Sequence, residues 1–233
     1  MILIFDYFET LLNSKSIDFN RGLKVLWENY YQDKCKFEDM KEYGEELFRR
    51  LMLRHAEGKE FPFVKEEITS FAGRFGGNKT HMSADEEADF LMLCNEFELD
   101  PCMVSFLEEC RQKNIPMYVL SNSSFSGEAL MEVLNRFGIG KYFSKLWSSA
   151  DFGRIKPCRD FFELAISHAL KENPQEDRKE IIFIGDIYET DVEGAYNAGI
   201  KSVWLNKNGG ADEKGLAAYI CTSSGQLAGI LPG

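Results

Sequence analysis

The chain has 233 residues and a formal net charge of -11, from 27 Lys+Arg against 38 Asp+Glu. Hydrophobic residues make up 44% and charged residues 28%, a balance that suits one large globular domain or a core with a modest insertion. The acidic surplus argues against nucleic acid and against an anionic membrane surface, both of which recruit clustered cations. No apolar run approaches the ~18–20 residues of a membrane span.

The first element is Met1-Ile2-Leu3-Ile4-Phe5, a continuous apolar run ending at Asp6. It has no polar face, so it reads as a strand buried on both sides. It is too short for the core of a secretion signal. Six cysteines (Cys35, Cys94, Cys102, Cys110, Cys158, Cys221) form no C-x-x-C pair and do not cluster with His55, His81 or His168. That spacing excludes a structural zinc site and predicts reduced thiols in a cytoplasmic protein.

From about residue 14 to 100 the pattern is helical throughout, with no strand signal. Leu23, Leu26, Trp27 and Tyr30 repeat at helical spacing, as do Phe48, Leu51, Met52 and His55. Val64, Ile68, Phe71 and Phe75 form a third stripe, and Phe90, Leu93, Cys94 and Phe97 a fourth. One-sided stripes of this kind pack helix on helix. Glu57-Gly58-Lys59 and Gly76-Gly77-Asn78 supply the breaks.

Beyond residue 100 strands and helices alternate. Helices are predicted at 101–113, 129–137, 160–170 and 191–198, and strands at 115–120, 146–149, 181–184 and 202–205. Alternation of this kind implies right-handed βαβ units and a mostly parallel sheet. The first strand must join that sheet. The prediction is a doubly wound α/β core, Rossmann-like in class, built from residues 1–13 and 101–233, with residues 14–100 inserted as a helical cap.

In an open parallel sheet the functional crevice lies at the carboxyl ends of the strands. Asp6 ends the first strand, Ser121-Asn122 the next, and Asp186 the 181–184 strand, with Asp191 five residues on. Lys156-Pro157 sits in a loop after the 146–149 strand. Alone, each is an ordinary turn carboxylate, hydroxyl cap or loop lysine. Together they offer hard oxygens for Mg²⁺ and a hydroxyl and ammonium for phosphate oxygens.

These residues resemble the four motifs of the haloacid dehalogenase-like hydrolases with a helical cap after the first motif. The D-x-D-x-T motif corresponds to Asp6-Tyr7-Phe8-Glu9-Thr10, and the strand ending in Ser or Thr to Tyr118-Val119-Leu120-Ser121. The motif lysine corresponds to Lys156, and G-D-x-x-x-x-D to Gly185-Asp186 through Asp191. The resemblance implies that Asp6 is the nucleophile of a Mg²⁺-dependent phosphatase acting on a small phosphorylated metabolite, and that Lys156 steadies the reacting anion. It implies that Ser121, the backbone around Asn122, and Lys156 hold the phosphoryl oxygens. It also implies that Asp6, Asp186, the backbone carbonyl of Phe8, and Asp191 through a water form the metal site, or that Asp191 orients Lys156.

One position departs from the pattern. The family's phosphatases carry a second Asp, the general acid and base, where this chain has Phe8. Glu9 is no substitute, because neighbouring residues of an extended segment point to opposite sides. The departure keeps two other readings open. One is a metal-independent 2-haloacid dehalogenase, whose family members carry an aromatic residue there. The other is a binding or regulatory protein that retains the fold without turnover.

Overall fold

β1 (Ile2–Phe5) runs through the middle of a six-stranded sheet, in a computed structural model that describes residues 1–230. All four of its residues are buried, as an unbroken apolar run requires. It pairs in parallel with β4 (Met117–Ser121), Leu3 facing Met117, and with β6 (Ile181–Gly185), Ile2 facing Ile181. β5 (Lys145–Ser148) lies outside β4, while β7 (Lys201–Leu205) and then β8 (Tyr219–Cys221) extend the other side. Every pairing is parallel, in the order β5-β4-β1-β6-β7-β8. β8 has no counterpart in the sequence reading, because three residues with two of them exposed leave no apolar run.

Alternate residues of each strand supply the two faces. Leu3, Phe5, Val119 and Ile184 face α5 (Pro101–Gln112) and α6 (Gly127–Arg136). Ile2, Ile4, Leu120 and Phe183 face α8 (Arg159–Glu172) and α9 (Glu193–Asn197). Helices on both faces make this the expected doubly wound sheet. The predicted 191–198 helix is shorter than read: residues Tyr188–Val192 form a π turn that leads into α9. Ser149, read as the end of a strand, instead opens the short helix α7 (Ser149–Phe152).

The segment between β1 and α5 holds α1 (Phe19–Tyr30), α2 (Phe37–Ala56), α3 (Thr69–Phe75) and α4 (Ala84–Cys94), with a π turn over Phe63–Ile68. Asp18 caps α1, accepting from the N–H of Asn20, and Ser83 and Glu86 close a capping box at the start of α4. Helices dominate, but the segment is not helical throughout. β2 (Asn13–Ile17) and β3 (Asn95–Glu98) pair antiparallel where the chain leaves and re-enters the α/β part. Neither strand alternates clearly, and Phe97, read as the end of a helical stripe, belongs to β3. The ribbon exists because its partners meet across about 80 residues of chain, which local periodicity cannot register.

The buried face of α2 also differs from the predicted stripe. Leu47 is 0% exposed and Met40 is buried, whereas Phe48 is 52% exposed and Met52 also faces out. Gly44 lies on the buried side, where an added Cβ would sit 3.4 Å from Leu23 and 3.5 Å from Phe71. Two apolar stripes overlap on this helix, and the one interrupted by a glycine is buried because it admits close packing. Its interior is continuous with that of the sheet: Leu23, Leu47, Phe71 and Phe90 join Phe5, Tyr7 and Leu12 in one apolar cluster. Among the described residues no helix is long and apolar enough to cross a membrane.

The orientation of α2 is testable by paired truncation. Leu47→Ala should cost about 2–5 kcal/mol, whereas Phe48→Ala should stay within about 0.5 kcal/mol. Urea denaturation of the two variants gives the comparison, and similar losses would place α2 the other way round.

Candidate active site

β1, β4 and β6 are adjacent and parallel, so their carboxyl ends deliver Asp6, Ser121 and Asp186 to one edge. Lys156 enters from the loop before α8. It is 1% exposed, and its ammonium donates to Asp6 Oδ1 at 2.5 Å and to Asp191 Oδ1 at 2.7 Å. It also lies 5.0 Å from the centre of the Phe183 ring. A buried ammonium is expensive unless paired, and here two carboxylates hold it. Burial works against its charge, but Asp191 and Asp6 more than offset that and raise its pKa.

Asp191 is fixed on its other side as well. Its Oδ2 accepts from the N–H of Ile187 at 3.0 Å, and the Thr190 hydroxyl donates to Oδ1 at 3.2 Å. This approach depends on Gly185, where a Cβ would lie 2.3 Å from Asp191 Oδ2. Asn122 does not direct its side chain at an anion. Its Oδ1 accepts from Lys156 N–H at 2.6 Å and its Nδ2 donates to the Lys156 carbonyl at 3.1 Å, a two-point clamp on the lysine backbone. Ser121 is fully buried, its hydroxyl donating to the Asn122 carbonyl at 3.4 Å.

Asp6, Asp186 and Asp191 each place a carboxylate oxygen so that all three lie within 4.8 Å of one another. Burial raises the pKa of Asp6 to about 7, with Lys156 pulling down and Asp191 pushing up. Burial and then Asp191 raise Asp186 to about 6. Two of the three carboxylates thus share one ammonium, and Asp186 has no ion pair among the described residues. Asp186 Oδ1 is buried with no hydrogen-bond partner among the described residues. A cluster of hard oxygens, one of them orphaned, fits a divalent cation such as Mg²⁺.

Phe8 lies beside this group. Its ring packs on Tyr7 with centroids 4.7 Å apart and on Phe97 of β3 at 6.2 Å, and Phe97 in turn meets Phe137. Glu9 adopts a left-handed φ of 57°, and its carboxylate accepts from the N–H of Ser14 at 2.8 Å. The Glu9 side chain is therefore committed to the backbone that opens β2.

The sequence reading missed the residues that brace the site. Glu60, 0% exposed, accepts from the Ser149 hydroxyl at 2.7 Å, from the N–H of Phe61 at 2.9 Å, and lies 3.1 Å from His55 Nε2. Burial alone would raise its pKa, but the His55, Ser149 and Phe61 contacts prevail and lower it. The Ser149 hydroxyl also accepts from the N–H of Ser123 at 2.8 Å, two residues past Ser121. The same strap bonds along the chain that leads to Lys156: Glu60 N–H to the Gly153 carbonyl at 3.2 Å, and Ile155 N–H to the Gly58 carbonyl at 3.3 Å. The only local hint is a carboxylate placed directly before Phe61-Pro62-Phe63, where a buried acid must find partners.

The comparisons with known proteins follow the same lines. A family profile for haloacid dehalogenase-like hydrolases matches residues 3–205. The pyrimidine 5'-nucleotidase YjjG of Escherichia coli (strain K12) is 35% identical over 125 residues, 53% of this chain and 52% of that protein. The chain thus spans about half the length of that curated relative. A 2-haloacid dehalogenase from Pseudomonas syringae pv. Tomato DC3000 superposes with a TM-score of 0.67 at 20% identity, over 98% of this chain and 97% of that one. YfnB from Bacillus subtilis, crystallised bound to magnesium, gives 0.60 at 20% identity over 100% and 98%. At such identities the likeness is one of fold.

Two outcomes follow from this geometry. A carboxyl whose pKa is raised in the folded state supports stability below its ordinary pKa of 3.8, and that support fades as pH climbs toward about 6. Asp186→Asn should therefore raise the Tm of metal-free protein at about pH 7.5 by roughly 2–4 °C, as expected for ~1 kcal/mol in a domain this size. The gain should shrink near pH 4.5; a Tm that falls instead would remove the case for strained carboxylates. Separately, Glu60→Ala removes the acceptor of the buried Phe61 N–H and leaves Ser149 only its Ser123 contacts, and should cost about 1–3 kcal/mol, read by urea denaturation.

Proposed function

The chain belongs to the haloacid dehalogenase-like hydrolase family, and we propose that within it the protein is a Mg²⁺-dependent phosphatase of a small phosphorylated metabolite. The observation that carries this reading is the buried, unpartnered Asp186 Oδ1 beside Asp6 and Asp191. A dehalogenase that displaces halide without metal has no use for that oxygen, nor for three carboxylates around one ammonium. Magnesium-bound YfnB, of the same fold, lends further support.

In this reading Asp6, Asp186 and the Phe8 carbonyl would hold the cation, with Asp191 reaching it through water. The bound cation would neutralise the carboxylates and draw charge from the phosphoryl oxygens. The rest falls to the chain. Lys156 holds Asp6 Oδ1, which leaves Oδ2 to attack phosphorus in line. As that bond forms, the bond from phosphorus to the leaving oxygen breaks, giving an aspartyl-phosphate. Lys156 and the Ser121–Asn122 turn bind the oxygens that gain charge. Water then attacks the phosphorus, releasing inorganic phosphate and regenerating Asp6.

The leaving oxygen must find its proton elsewhere than position 8, because a phenyl ring has none to give. General acid–base catalysis contributes about 10²–10⁴-fold. The protein should therefore favour acyl and aryl phosphates, whose leaving groups depart without protonation. The reading of a non-catalytic binding protein draws on the same substitution.

The assay is hydrolysis of aryl and alkyl phosphates side by side with Mg²⁺. Aryl substrates should turn over faster by at least ~10²-fold; equal rates would contradict the role given to Phe8. Asp6→Asn should abolish turnover of both. Phe8→Asp, in protein shown to be folded, should speed the alkyl substrate selectively. Beryllium fluoride with Mg²⁺ should leave an adduct on Asp6, and an adduct without turnover would favour the binding-protein reading.

A further inference from the structure

Between α1, α2, α4 and the Phe63–Ile68 turn lies a cavity of about 540 Å³, within the range of sites that enclose small organic ligands. None of Asp6, Ser121, Lys156 or Asp186 lines it; its link to the α/β part is Ser124-Phe125, just past Ser121. One wall is aromatic: the Phe63 ring sits 4.5 Å from Phe90 and 4.8 Å from Phe125, centre to centre. Phe19 and Phe48, both about half exposed, stand at the rim. Apolar rings left in water around a hollow mark a surface that something covers.

The polar groups are unevenly placed. Asp18, Lys41, Glu45 and Arg49 line the rim and are exposed. Glu67 also lines the cavity, on the same turn as Phe63, and is half-buried. Among the described residues its carboxyl has no hydrogen-bond or ion-pair partner. The ionisable group nearest in influence is the buried Cys94 thiol, itself pushed up to about 12 by burial and therefore neutral. Burial alone raises Glu67 to about 7. A half-buried carboxyl beside phenyl rings, open to the cavity and without a protein partner, is left for a ligand to satisfy, and perturbed acids of this kind gather at binding sites.

We propose that this cavity binds a planar ring carrying an amidine-like or amino-substituted edge, the ring lying on the Phe63–Phe90–Phe125 wall and its N–H donors paired with Glu67. Two carboxylate oxygens match a planar pair of N–H donors, and the apolar wall takes the ring face. The rim cations Lys41 and Arg49 favour the opposite charge, but both sit in water, where screening leaves them weak. On the phosphatase reading the cavity receives the organic part of the substrate. Binding is measured without turnover, so this inference can fail while that reading stands, and the reverse.

Benzamidine, benzamide and benzoate share one shape and differ in charge and donors. Each is titrated into the full chain at about pH 7.5 by calorimetry, with amide shifts recorded by NMR. Benzamidine should bind about tenfold or more tighter than benzoate, with benzamide between. Glu67→Gln should erase the advantage of benzamidine over benzamide, and Phe48→Ala should weaken both ligands while leaving the fold intact. Asp6→Asn should change neither affinity; if it removes the amidine preference, the ligand sits on the acidic cluster and the proposal fails. It fails equally if benzoate binds as well as benzamidine, if none of the three binds, or if the preference survives in Glu67→Gln.

Discussion

The ammonium of Lys156, enclosed between Asp6 and Asp191, is the contact on which the rest of the site depends. Removing an ammonium from water is costly unless its partners are held in good geometry, so much of the neighbouring architecture can be understood as holding them. Asn122 grips the lysine backbone from β4, and Gly185 leaves room for Asp191 to lean in from the π turn. The Gly58–Glu60 strap lines up the residues that lead to Lys156. The charges are nonetheless unbalanced: Lys156 pairs with Asp6 and Asp191, and the carboxylate of Asp186 beside them has no ion pair among the described residues. A cluster of this kind leaves net negative charge at the edge of the sheet, which a divalent cation would offset.

The helical segment is more than a cover. Glu60 ties it to Ser149 and hence to the turn after Ser121, and Glu87 accepts from the N–H and hydroxyl of Ser126 at 2.8 and 2.6 Å. Phe8 adds a third tie by packing on Phe97 of β3. Phe8 thus joins the loop after Asp6 to the ribbon at the base of the helices. A phenyl ring at this position packs between Tyr7 and Phe97 and carries no proton to give.

Much of this was legible in the sequence for specific reasons. β1, β4 and β6 are buried on both faces, so their apolar runs are unbroken, and each ends in a polar residue of the site. The helices of the α/β part end at recognisable stops, Gly138 and Gly199 with positive φ among them. The illegible parts are those that non-local pairing decides. β2 and β3 are strands only because they meet each other, and β8 because β7 offers an edge. α2 carries two candidate stripes, and only the fit of Gly44 against Leu23 and Phe71 selects between them. Glu60 and Ser149 lie 89 residues apart and carry no motif; their importance arises when the chain brings them within hydrogen-bonding distance.

The position of β1 bears on how the protein is made. β1 is one of the two central strands of the sheet, yet its two neighbours lie far along the chain, pairing from Met117 and Ile181. While the chain between them is made, an apolar strand with both edges open waits for partners not yet translated. Such topologies fold slowly and expose segments prone to aggregation. The burden of chaperoning this chain therefore falls on β1, and nascent chains that stop short of β6 are the ones expected to need it most.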